Sequence, residues 1–98
     1  MFGGLLEKAK QAQEEMKERL SEMRIRKSID NGAIKLEIDG NKKVLSIHIA
    51  EELISEGNKE RIEDLMIVLL NKANEDAESK MQEEMKNLAG GILPPGLF

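Results

Sequence analysis

The sequence predicts an α+β fold in the order helix, three-stranded antiparallel meander, long helix. Three observations carry this. Apolar residues recur at helical spacing from Leu5 to Met23 and again from about Lys59 to the Gly90-Gly91 pair. From Arg24 to Ile49 the period falls to two. Six apolar residues, Leu65 through Leu70, stand in a row, more than the three or four in every seven that one buried helix face needs, so the second helix must be covered on two sides.

The chain begins with MFGG, read as a flexible start over residues 1–4. Helix one then runs over 5–23, with Leu5, Leu6, Ala9, Ala12, Met16, Leu20 and Met23 as a narrow apolar stripe among charged residues and Gln. A helix that touches one neighbour along a single seam looks like this.

The sheet occupies 24–49. Ile25 and Ile29, then Ile34, Leu36 and Ile38, then Leu45, Ile47 and Ile49 supply the inward face, leaving Lys35, Glu37, Ser46 and His48 outside. Asn31-Gly32 reads as a tight turn, and Asp39-Gly40-Asn41 as a second break, both able to supply positive φ. A short helical turn over 50–56 ends at Gly57, and Asn58 is a good N-cap for helix two.

Helix two spans 59–89, about 45 Å at 1.5 Å per residue, and must project beyond the sheet. At 100° per residue Ile62, Leu65, Met66, Leu69 and Ala73 share the sheet-facing side, whereas Ile67 and Val68 point away. For so short a chain the expected cover for Ile67 and Val68 is a second copy, which makes them the predicted homodimer interface. Helices one and two are placed antiparallel, with Leu20 and Met23 near Ala73 and Leu5 approaching Leu88. The tail, 90–98, has two prolines and cannot continue the helix.

Composition narrows the chemistry. The 98 residues make one domain with only two aromatic residues, Phe2 and Phe98, so Leu, Ile, Met and Val must build the core. There is no cysteine, and His48 is the single histidine, which leaves little for a metal site. Glu14-Glu15, Glu51-Glu52 and Glu83-Glu84 are adjacent pairs that diverge by 100° on a helix, unlike the convergent groups of an acid–base site. No phosphate loop, nucleophile motif or metal motif is present, so the expectation is no enzyme, no metal, no cofactor and no small-molecule substrate. Without a signal-peptide pattern or an apolar run of about 20 residues, no membrane role is expected and the default location is the cytoplasm.

Net charge is −4, but residues 1–50 hold ten Lys and Arg against eight Asp and Glu, and residues 51–98 five against eleven. Lys10, Lys17 and Arg24 are seven apart, near one helical line at about 10 Å intervals. With Arg26 and Lys27 at the strand start they are the candidate phosphate contacts. The same residues also fit plain ion pairs at helical spacing, Glu14 lying between Lys10 and Lys17. Met16, Met66, Met81 and Met85 fit core filling, or an adaptable protein-binding groove.

Taken in order, the MFGG start with its Gln- and Met-rich helix, the hairpin NGAIKLEIDGNKKVLSIHI, the block IEDLMIVLLNKANEDA and the ending LPPGLF resemble the YbaB/EbfC family of bacterial nucleoid-associated proteins. The resemblance spans nearly the whole chain. It implies a small tweezer-like homodimer with helical arms projecting from a sheet core, a nucleoid location, and DNA as partner. A protein-interaction adaptor dimer is the other function class the residues allow.

Overall fold

A computed structural model of the chain describes residues 2–89. The order is α1 (Phe2–Glu22), β1 (Ile25–Ile29), β2 (Ile34–Ile38), β3 (Val44–Ile49), α2 (Glu51–Ser55) and α3 (Lys59–Ala89). The strands form an antiparallel sheet in the order β1-β2-β3, as the alternation predicts. The molecule measures 63 × 27 × 18 Å, the long dimension that of the helices.

Alternation puts Ile25, Ile34, Leu36 and Ile38 on one face of the sheet, and α3 lays Leu69, Ala73 and Ala77 onto it, with Leu53 of α2 closing the cluster. Ile62, Leu65 and Met66 pack at its margin, so the predicted sheet-facing side of α3 is the one buried. Leu69 is fully buried, which is worth about 2–3 kcal/mol of transfer free energy. The helix starts where a cap satisfies it: the Arg61 N–H donates to Asn58 Oδ1 at 3.1 Å. Gly57 just before it has φ +70°, the left-handed conformation that ends α2.

The structure departs from the sequence reading in four places. Gly3 and Gly4 lie inside α1 and not in a flexible start; no side chain or backbone crowds them, and in a first turn the helix gives up few hydrogen bonds to them. The β1-β2 connection is four residues, 30–33, because Ile29 pairs with Ile34. Asp30, Asn31 and Gly32 all take positive φ, and Asp30 is held there by the Arg61 guanidinium, which also binds Glu56 at 2.5 Å.

The third departure is in β3. A bulge opposite Glu37 and Ile38 pairs Ile38 with Val44, not Leu45, and α3 packs on β1 and β2 but not across β3. Leu45 and Ile47, expected in the core, are therefore exposed in the single chain. The fourth concerns the arm. Arg19 pairs with Glu84 at 3.8 Å; beyond that pair α3 continues about 7.5 Å to Ala89, but α1 continues about 21 Å to Leu5. Leu5 and Leu6 thus overrun the described end of α3 and are 67% and 63% exposed, instead of meeting Leu88. The predicted 90–98 tail lies outside the described residues.

Candidate nucleic-acid interface

The base of the arm is fixed by the β2-β3 turn. Helix ends leave carbonyls without partners, and here the turn supplies one for Leu20 and a further hydrogen bond to Lys17. The Gly40 N–H donates to Leu20 O at 2.7 Å, the Met23 N–H to the same oxygen at 3.2 Å, and Asn41 Nδ2 to Lys17 O at 2.9 Å. Buried Asp39 shapes the turn by accepting from the Asn41 and Lys43 N–H groups at 2.8 and 2.9 Å. Positive φ falls on Lys42, leaving Gly40 for close approach to α1. Composition pointed to this turn; its docking on α1 had no signal in the local pattern.

Of the five candidate cations, Lys10 and Lys17 are exposed on α1, and no carboxylate among the described residues forms an ion pair with either. Arg24 lies two residues past the helix. Its Nη1 turns back to the carbonyls of Ser21 and Met23 at 2.8 and 2.9 Å, and its Nε sits 3.9 Å from Glu37. Arg26 Nε donates to the other Glu37 oxygen at 2.8 Å. Lys27, on the inner face, reaches across to Asp76 of α3 at 2.8 Å. The structure therefore divides the five: Lys10 and Lys17 are exposed along the arm, Arg24 and Arg26 gather around Glu37 at its base, and Lys27 is engaged with Asp76 on the inner face.

Two carboxyls on α3 report the same pairing. Hydrogen bonding from Lys27 holds Asp76 below its usual range, and hydrogen bonding from Lys42, 2.8 Å from Glu78, does the same there.

On α3, Ile67 and Val68 are 58% and 43% exposed. Ile54 of α2 and Val44, Leu45 and Ile47 of β3 are also exposed large apolar residues. Helix geometry points to the α3 members, whereas alternation places Leu45 and Ile47 in the core, because it cannot say which strand the helix leaves uncovered.

The structure is that of an elongated α+β protein with cations at the base of a helical arm. A family model described as the YbaB/EbfC DNA-binding family matches residues 1–92, and the chain belongs to that family. It is 33% identical over 100 residues to a nucleoid-associated protein of Caldanaerobacter subterraneus subsp. tengcongensis, covering 99% of this chain and 90% of that protein. It is 32% identical over 100 residues to one of Thermoanaerobacter sp. (strain X514), with the same coverage. The crystal structure of an uncharacterized protein from Helicobacter pylori has the same fold, with TM-score 0.74 and 22% identity over 95% of this chain and 94% of that one. No described helix is long and apolar enough to cross a membrane.

Proposed function

We propose that the chain is a homodimeric nucleoid protein that binds duplex DNA mainly through phosphates, with little sequence preference. Family membership supports DNA as the partner. The observation that carries the phosphate reading is the charge of the segment at the arm's base: residues 24–49 hold six Lys and Arg against three Asp and Glu, in a chain of net charge −4. Lys10 and Lys17 extend that field along α1, with Arg24, Arg26 and Lys27 at its root. Two such arms in a tweezer-like dimer present both sets to one duplex. Side chains of this kind bind phosphate oxygens, which position a protein on DNA but carry no base information.

A mobility titration of a mixed-sequence duplex at two salt concentrations tests this. Binding should weaken steeply with salt, and Lys10→Gln with Lys17→Gln should flatten that dependence by about 0.9 per lost contact. Adding Arg24→Gln should flatten it further. Lys8→Gln with Arg19→Gln makes the same charge change elsewhere on α1 and should do less. If the wild type does not bind at low salt, the second reading takes over, an adaptor whose arms grip a protein. Its support is the acidity of α3, with five Lys and Arg against eight Asp and Glu.

A further inference from the structure

Charge is divided unevenly among the elements. α1 carries four Lys and Arg against five Asp and Glu, and α3 five against eight; both helices of the arm are net acidic. Only the sheet segment is net positive. α3 covers the inner face of β1 and β2 and Lys27 there is paired with Asp76, so Arg26 and Lys35 on the outer face are the strand cations open to a partner.

The register of the strands lays six polar side chains on the outer face as a grid. One row runs Ser28, Lys35, His48 across β1, β2 and β3, and the next runs Arg26, Glu37, Ser46. Neighbours in a row are about 5 Å apart and the rows about 7 Å apart. Five of the six residues are exposed, and Glu37 is half-buried. Together they line a shallow open concavity of about 420 Å³. Glu37 is the single carboxylate of the grid, and Arg26 and Arg24 both lie against it at 2.8 and 3.9 Å. Its charge is more than balanced. Lys35 forms no ion pair among the described residues, and it stands between two hydrogen-bonding neighbours, Ser28 and His48.

We propose that this outer sheet face is a second DNA-phosphate site, with Lys35 as its central cation, Ser28, Ser46 and His48 as hydrogen-bonding partners, and Arg26 joining it to the root of the arm. Charge complementarity commits the face to a polyanion. The grid carries no Phe, Tyr or Trp, and the lone imidazole of His48 is too little to stack successive bases of a single strand, so it fits the backbone of a duplex. The inference rests on the DNA-binding reading and adds a surface that the arm lysines do not supply.

The test uses the full chain and a mixed-sequence duplex at low salt, with backbone amide shifts followed by NMR. DNA should perturb Ser28, Lys35, Ser46 and His48. Lys35→Gln should weaken binding several-fold and lower the salt slope by about one for each copy in contact, while Lys72→Gln, the same charge change on α3, should do less. Ser46→Lys should strengthen binding and steepen the slope, an outcome that a misfolded variant cannot mimic. If wild type binds but DNA shifts only α1, or Lys35→Gln behaves like Lys72→Gln, the sheet site is wrong and the arm reading stands. If wild type does not bind, both fall.

Discussion

The N–H of Gly40 donates to the carbonyl of Leu20 at 2.7 Å, and a Cβ placed on Gly40 would come within 2.8 Å of that same oxygen. The β2-β3 turn and the end of α1 are in backbone contact, and glycine is the residue that permits it.

Gly40→Ala should therefore push the turn off the helix. Backbone atoms cannot rotate aside as a side chain can, so about 1–3 kcal/mol of overpacking is expected, together with faster amide exchange over the last turn of α1. Gly57→Ala is the contrast: φ is +70° but nothing lies within 4 Å, so only conformational strain of about 1 kcal/mol applies. Denaturant titration of both variants measures the difference. Equal losses would mean that contact with Leu20 is not what Gly40 provides.

The dimer prediction follows from side chains that the single chain leaves uncovered. Ile67→Asp or Val68→Asp should barely disturb the protomer core, since both residues are exposed there, but in a dimer each would bury an unpaired charge. Ile47→Asp, on the uncovered strand, should act in the same way. Sedimentation should show monomer or aggregate for all three. Folded dimers of unchanged stability would place the interface elsewhere.

What the sequence could convey depended on how local the cause was. The buried side of α3 was legible because Ile62, Leu65, Met66, Leu69 and Ala73 are related by helix geometry alone, and the outer grid of the sheet because alternation fixes it. Asn58 as N-cap acts within three residues. The bulge at Val44, the docking of Gly40 on Leu20 and the return of Arg24 to Ser21 depend on how separate elements meet, and no short window encodes that. The same holds for Lys27, whose partner Asp76 is 49 positions away.

Ion pairs to α3 from β1 and from the β2-β3 turn should make the arm's base sensitive to acid. Asp76 and Glu78 titrate below their ordinary values because Lys27 and Lys42 bind the ionised forms. A depressed folded-state value stabilises the fold above the ordinary carboxylate range, and that contribution is lost as pH falls through the lowered values. Both pairs are solvent-exposed, so the effect is local. Carboxyl NMR titrations should show both groups depressed, and Lys27→Met with Lys42→Met should return them to the ordinary range. Amide exchange near Asp76 should then differ between wild type and variant at neutral pH and converge in acid. A difference that persists in acid would exclude the ion pairs as its cause.

Glu37 offers the most direct test of how the two arginine groups are used. It is the one carboxylate on the outer sheet face and holds Arg24 and Arg26 at the root of the arm. Glu37→Gln removes its charge while keeping its shape, releasing both guanidinium groups and raising the face by one charge per protomer. The lost pairs are partly exposed, so stability should fall by no more than about 1 kcal/mol. DNA affinity at low salt should instead rise several-fold, with a steeper salt dependence, because freed cations add phosphate contacts. A mobility titration of Glu37→Gln beside wild type reads this directly. Unchanged affinity would show that Arg24 and Arg26 are committed to the helix end and the sheet, leaving Lys10, Lys17 and Lys35 to carry phosphate binding. Weaker affinity would mean that Glu37 orients the two arginines toward DNA, so that the carboxylate is part of the site instead of its restraint.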